Sequence, residues 1–289
     1  MLHAGAGGRV EELSEEAQGA YAEGLRRAYE EGYAVLRGGG SALDAVCATV
    51  TVLEDNPLFN AGRGAALTAT GEAELDASIM AGDGRAGAVA VSRYARNPVL
   101  AARKVMEVTE HVMLVAPTRG VVAGWGLTVE DPEYFVTRPR QEQLQHVQDA
   151  QLASSRHGTV GAAALDCFGH LAAATSTGGM VNQRDGRVGD TPVIGAGTFA
   201  RDGVAAVSCT GHGEAFIEGV VAHEVVARVR HGGASLIDAV SRTIQAELDA
   251  RDAAGGLIAL GADGRVVVAH NSPAMFAAYL DDERLVTMT

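Results

Sequence analysis

Residues 157 to 177 read His-Gly-Thr-Val-Gly-Ala-Ala-Ala-Leu-Asp-Cys-Phe-Gly-His-Leu-Ala-Ala-Ala-Thr-Ser-Thr. The apolar run 160–165 predicts a buried strand. Asp166 to His170 predict a hairpin turn, and 171–175 the return strand. Thr159 stands at the start of this hairpin, between a glycine and a valine. If the peptide bond before it were cut, its hydroxyl and a new α-amine would sit on one residue, and the amine could serve as base for the hydroxyl. On composition alone, Thr159 reads as an ordinary β-branched strand residue. At the far end of the hairpin, alternation puts Thr175 and Thr177 on one face.

Outward from the hairpin, the polar, Gln-rich segment 138–158 shows no core pattern and reads as an exposed linker that tolerates cutting. Downstream, Gly-Arg-Val-Gly-Asp at 186–190 sets Arg187 and Asp190 in a Gly-rich, apolar setting. The pair suits a zwitterionic amino acid: a guanidinium fork for an α-carboxylate and a carboxylate for an α-ammonium. A local salt bridge between the two is the alternative. His212 lacks any accompanying Ser or Cys signature for a His-based triad.

The remaining chain predicts sheets covered by helices. A short strand and Gly-rich turn occupy 1–8, with His3 read as structural. Helices are expected at 11–37, at 42–54 behind Ser41 as N-cap, and at 97–109. Residues 55–68 read as a loop. Strands are expected at 73–80, 86–93 and 111–116, and 120–127 as a helix or irregular. Later strands are expected at 204–209, 257–260 and 265–270, and helices at 213–229 and 234–250. The glycines at 38–40 do not form a phosphate loop, because no Gly-Lys-Ser or Gly-Lys-Thr follows. Asp76, Asp83 and Asp190 are too scattered to read as a metal cluster.

A chain of 289 residues with 47% hydrophobic residues supports a large core. Its net charge of −13, with Lys104 the only lysine, argues against nucleic acid and anionic membranes as partners. Cys47, Cys167 and Cys209 lack metal spacing and read as reduced core cysteines. With no signal-like start and no long apolar run, the expected location is cytoplasmic.

Several strings together resemble the plant-type L-asparaginase and isoaspartyl peptidase family of N-terminal-nucleophile hydrolases. They are HAGAGG at 3–8, GGSALDAV at 39–46, LEDNPLFNAGRGAALT at 53–68 and ELDASIMAGDGRAGAVA at 74–90. HGTVGAAALD at 157–166, ATSTGG at 174–179, GRVGDTPVIGAGTFA at 186–200 and SCTGHGE at 208–214 complete the set. The resemblance implies an α+β fold, a four-layer αββα sandwich; periodicity alone leaves ordinary α+β open. It implies a single domain, 1–289, cleaved between Gly158 and Thr159 into 1–158 and 159–289. Thr159 would be the nucleophile, Thr177 its neighbour, and Thr210 with Gly211 the oxyanion donors. Arg187, Asp190, Gly211 and Gly213 would bind substrate, with Asn60 in support. No cofactor would be required for catalysis. A structural sodium ion is implied on backbone carbonyls around Leu53, Glu54, Asn56, Phe59 and Ala61, an oxygen set proper to a hard cation. The implied substrates are L-asparagine and β-aspartyl dipeptides, and the implied assembly is (αβ)2. The rivals are a glycosylasparaginase-like or other threonine amidohydrolase, and an uncleaved structural or binding relative. The sequence departs from the family at Ala4, where a glycine is common, and in its short linker.

Overall fold

The computed structural model describes residues 1–7, 13–151, 158–281 and 284–288. The amino-terminal part runs β1 (Leu2–Ala6), α1 (Glu15–Arg37), α2 (Ala42–Asp55), β2 (Leu75–Ala81), β3 (Ala86–Ser92), α3 (Pro98–Val108), β4 (Met113–Val115), α4 (Arg119–Gly124) and α5 (Arg138–Asp149). After residue 158 come β5 (Val160–Leu165), β6 (Leu171–Thr177), β7 (Thr198–Arg201), β8 (Ala205–Gly211), α6 (Gly213–Gly219), α7 (Val221–Arg230) and α8 (Leu236–Thr243). The chain closes with β9 (Gly255–Gly261), β10 (Val266–His270), β11 (Met275–Asp281) and β12 (Arg284–Met288).

The strands form an eight-stranded sheet, β12-β11-β1-β5-β6-β2-β3-β4, and a four-stranded sheet, β10-β9-β8-β7. Alternation along β5 shows how the layers stack. Val160, Ala162 and Ala164 pack with Ala45, Val46 and Val50 of α2, whereas Ala163 packs with Ala206 and Ile258 of the small sheet. Helices α1 to α3 cover the large sheet, and α7 and α8 cover the small one. The result is the expected four-layer αββα sandwich.

Register grades the space between the sheets from apolar to polar. One row of the large sheet is Ala163, Ala173 and Met80, all buried and apolar. The next is His3, Gly161, Thr175 and Ser78. Its polar groups meet the small sheet: His3 Nε2 and Thr175 Oγ1 lie 2.9 and 2.7 Å from Ser208 Oγ, and Ser78 Oγ donates to Thr198 Oγ1 at 2.8 Å. Burial pushes the His3 pKa down to about 3, so its ring is neutral. These hydroxyls fix one alignment of the two sheets, since slipping it would strand buried polar groups. Continuing the register by one pleat sets Thr159 opposite Thr177, which pairs with Asp76. The row of Thr159 and Thr177 is thus held one step beyond a pinned polar row.

Local signals set most boundaries. Ser41 Oγ accepts from Asp44 N at 3.1 Å and starts α2, a cap worth about 1 kcal/mol. Ser14 does the same for α1, accepting from Ala17 N at 3.2 Å, so the helix begins at Glu15. The expected start at residue 11 lies outside the described residues, as does residue 8 of the first motif.

Five expectations need correction. Cys167, expected in the core, is exposed because it lies in the turn between β5 and β6, whereas Cys47 and Cys209 are buried. Within the expected linker 138–158, residues 138–149 form α5; Leu144 is buried against Phe135 and Val181, which a search for a long apolar stripe misses. Residues 152–157 lie outside the described residues. The helix expected at 213–229 breaks at Val220, which adopts φ 46°. There the first amides of α7 turn to other partners: Ala222 N donates to Ala196 O and His223 N to Gly195 O. The helix expected at 234–250 keeps α-geometry only to Thr243, then widens over Ile244–Leu248. Strands β7, β11 and β12 were not expected; β11 is specified by its pairing with β1, far away in sequence.

Candidate active site

Thr159 sits just before the first residue of β5 and is 6% exposed. Its Oγ1 donates to Thr177 Oγ1 at 3.2 Å. Thr177 Oγ1 in turn donates to Gly158 O at 2.9 Å and accepts from Gly179 N at 3.0 Å. Asn60 Nδ2 also donates to Gly158 O, at 2.7 Å, and to Gly179 O at 2.7 Å. The amide orientation of Asn60 is fixed because Ala66 N donates to its Oδ1 at 2.6 Å. The carbonyl of residue 158 therefore accepts from two aimed donors, and the Thr159 hydroxyl is its immediate neighbour in sequence. Gly158 has little room for anything else: a Cβ there would lie 2.9 Å from Asn60 Cβ. Gly5 crowds the same bond from β1, with φ +113° and a would-be Cβ 3.2 Å from Gly158 Cα.

Opposite, on the small sheet, Thr210 is fully buried and its Oγ1 has no hydrogen-bond partner among the described residues. A Cβ on Gly161 would overlap Ser208 Oγ. Thr159 and Thr210 each lie one pleat repeat from that contact on the same strand faces, so both point into the space between the sheets. Gly211 follows with φ +145°, packed against Gly255 and Phe216 too closely for any side chain.

Arg187 and Asp190 meet at Gly213. A Cβ on Gly213 would fall 2.9 Å from Arg187 Nη2 and 3.0 Å from Asp190 Oδ1. Arg187 does not pair with Asp190 as the local-salt-bridge alternative required. Instead its Nε and Nη2 donate to Glu214 Oε1 and Oε2 at 3.1 and 3.0 Å. Asp190 is 5% exposed and its Oδ2 is unpartnered among the described residues. Burial raises its pKa to about 7, against the opposing pull of Arg187. Asp76 joins the two halves of the site. It pairs across the sheet with Thr177, accepts from Val91 N at 2.9 Å, and interacts with Arg187 and the Gly189 amide; burial raises its pKa to about 7 as well. Val91 adopts φ 53°, a costly conformation for a β-branched residue.

The residues singled out in sequence thus gather at one end of the sheet interface: Thr159, Thr177, Gly158 and Asn60 on one side, Thr210, Gly211, Gly213, Arg187 and Asp190 on the other. His3 lies one row behind. His212 lies 3.3 Å from Glu214 through its Nε2. Sequence reasoning missed Glu214 and Asp76. In the sequence Asp76 reads only as one of three scattered carboxylates that make no metal cluster, and among the described residues no His, Cys, Asp or Glu group forms a metal site. In the loop expected to carry an ion, the carbonyls of Leu53, Asn56, Phe59 and Ala61 each accept a backbone N–H of the loop's own turns. The Glu54 side chain is buried and faces β6 and α3, accepting from Ser176 Oγ at 2.6 Å and Val99 N at 2.9 Å, and burial raises its pKa to about 8.

A family profile described as Asparaginase matches residues 1–289. The isoaspartyl peptidase of Salmonella typhimurium is 43% identical over 96% of this chain and 93% of its own. That of Escherichia coli is 42% identical over 96% and 91%. The human isoaspartyl peptidase/L-asparaginase is 39% identical over 99% and 94%. A match of this extent, on a four-layer sandwich with Thr159 at the head of an inner strand, means that the chain belongs to the asparaginase family.

Proposed function

We propose that this protein is a self-processing amidohydrolase that hydrolyses L-asparagine to L-aspartate and ammonia and cleaves β-aspartyl dipeptides through a Thr159 acyl-enzyme. The observation that carries this reading is the pairing of a primed peptide bond with an unsatisfied pocket. Gly158 O already accepts two hydrogen bonds beside the Thr159 hydroxyl, while Thr210 Oγ1 and Asp190 Oδ2, both buried, have no protein partner among the described residues.

In the first reaction Thr159 Oγ attacks the Gly158 carbonyl carbon. The developing oxyanion is held by Asn60 Nδ2 and Thr177 Oγ1. The C–N bond breaks, the hydroxyl proton reaches the departing nitrogen, and water hydrolyses the ester. The fragments are 1–158 and 159–289, and the free Thr159 amine, with an ordinary pKa of about 7.7–8.0, becomes the base. In the second reaction Arg187 holds the substrate α-carboxylate and Asp190 the α-ammonium. Thr159 Oγ attacks the side-chain carbonyl, and Thr210 Oγ1 and Gly211 N–H stabilise the oxyanion. Ammonia or an amino acid leaves, and water releases L-aspartate. Incubating the purified protein with L-asparagine, β-Asp-Leu and a glycosylated asparagine, with intact mass recorded alongside, tests the reading. A chain that stays whole and hydrolyses none of them overturns it; turnover of the glycosylated substrate alone assigns it to the rival branch.

The pH profile carries a separate prediction. Asp190, whose pKa burial raises to about 7, must ionise, and the Thr159 amine must lose its proton. Both events favour activity as pH rises, so log(kcat/KM), which reports free enzyme, climbs with a slope approaching about 2 below pH 6.5. Asp190→Asn is expected to lower kcat/KM and reduce that slope to about 1. A slope unchanged in the variant removes Asp190 from substrate binding.

We also propose an (αβ)2 assembly. Its support is the exposed apolar surface formed by Val108, Val112, Met113, Val115 and Val121 around β4, a strand at the end of the large sheet. Val115→Glu is expected to halve the sedimenting mass; an unchanged mass rules out this patch as the contact. The free cysteines 47, 167 and 209 support a reducing, cytoplasmic location; among the described residues no helix is long and apolar enough to cross a membrane. The net charge supports a small-molecule substrate over nucleic acid. A sodium ion on the carbonyls of Leu53, Glu54, Asn56, Phe59 and Ala61, implied by the resemblance, would share oxygens that mostly accept amides already, and it is assigned no step.

A further inference from the structure

A guanidinium offers two edges for bidentate bonding, Nε with Nη2 and Nη1 with Nη2. In Arg187 the first edge is taken by both oxygens of Glu214, at 3.1 and 3.0 Å. Among the described residues the second edge is nearly free of protein: Nη1 makes one long contact, 3.4 Å, to Gln183 Oε1, an atom already accepting from Met180 N at 2.9 Å. Two glycines flank this free edge. A Cβ on Gly189 would lie 3.0 Å from Nη1, and one on Gly213 2.9 Å from Nη2 and 3.0 Å from Asp190 Oδ1. The free edge and the Asp190 carboxylate therefore border the same space.

We propose that Glu214 is a positioning residue for substrate recognition: by holding the Nε–Nη2 edge of Arg187, it presents the Nη1–Nη2 edge to the substrate α-carboxylate and keeps the guanidinium off Asp190. The inference rests on the assignment of Arg187 to the α-carboxylate. Its physical need is clear from the charges. Asp76 and Asp190 are buried carboxylates within electrostatic reach of Arg187. A guanidinium without Glu214 turns toward them and closes both halves of the head-group subsite. Glu214 is suited to its task because it is half-exposed and so carries its charge without full desolvation, while the Arg187 side chain is 17% exposed. Burial opposes the Glu214 charge, but the Arg187 hydrogen bonds outweigh it and hold the carboxyl below its ordinary range.

The test is steady-state kinetics on L-asparagine for wild type, Glu214→Ala, Glu214→Gln and Arg187→Ala. Glu214→Ala is expected to raise KM at least 10-fold with kcat within 3-fold of wild type. Glu214→Gln, which keeps one acceptor for Nε but sets an NH2 against Nη2, is expected to fall between. An unchanged KM shows Glu214 idle, and a lower KM shows that it competes with substrate; either overturns the proposal. So does a loss confined to kcat. If Arg187→Ala leaves KM unchanged, the underlying assignment of Arg187 has failed; if Arg187→Ala raises KM and Glu214→Ala does not, only the positioning role has.

Discussion

Thr159→Ala is expected to remain a single chain of 289 residues on intact-mass analysis, however long it is incubated, and to lose hydrolysis of every substrate by a factor on the order of 10⁴–10⁶. Both losses follow from one atom. Without Oγ nothing attacks the Gly158 carbonyl, so the bond to residue 159 persists and the nitrogen of that residue stays an amide, which is no base. Nucleophile and base disappear together. The fold should survive: among the described residues the lost hydroxyl makes a single hydrogen bond, 3.2 Å to Thr177, and the neighbouring bonds of Asn60 and Thr177 to Gly158 O are untouched. A melting temperature near that of wild type separates this outcome from misfolding. Thr159→Ser should still divide into two fragments, more slowly, because a serine loses the stiff χ1 that a β-branched residue brings to the attack. A Thr159→Ala chain that separates into two pieces would sink the mechanism.

Much of this was readable from the sequence where the signal is local. The apolar run, the Asp166 turn and the return strand fix the β5–β6 hairpin, and Asp166 Oδ1 does accept from Phe168 N and His170 N at 2.9 and 3.0 Å. Strand alternation correctly put Thr175 and Thr177 on one face: the first bonds Ser208 and the second bonds Thr159, while Ser176 between them points the other way to Glu54. What escaped depends on contacts between distant segments. Glu214 reads as an ordinary first-turn acid of a helix, since nothing near it in sequence announces Arg187, 27 residues earlier. Asp76 reads as one carboxylate among many until the register sets it beside Thr177. Helix α5 rests on one buried leucine in a polar segment, and the break at Val220 is imposed by carbonyls of residues 195 and 196. The resemblance supplied the layer order, which periodicity had left open.

Thr210→Val should separate stability from catalysis. The Thr210 hydroxyl is fully buried and unpartnered among the described residues. A group left so costs roughly 1–3 kcal/mol of folding free energy, and replacing it by a methyl of the same shape removes that cost. The variant should therefore melt at or above the wild-type temperature. Its chemistry should suffer. If the hydroxyl supplies one of two oxyanion donors with Gly211 N–H, its loss lowers kcat by about 10²–10³, roughly 2.7–4 kcal/mol of transition-state stabilisation. KM should change little, because the α-carboxylate and α-ammonium are assigned to Arg187 and Asp190. Self-cleavage should also proceed, since the oxyanion of that first step is assigned to Asn60 and Thr177 instead. The two reactions would then use one nucleophile but different oxyanion donors, on opposite sheets. Slow turnover in a fully divided, unimpaired fold is the signature of that division. A variant that turns over at the wild-type rate removes Thr210 from the oxyanion site, and one that neither divides nor turns over merges the two sets of donors into one.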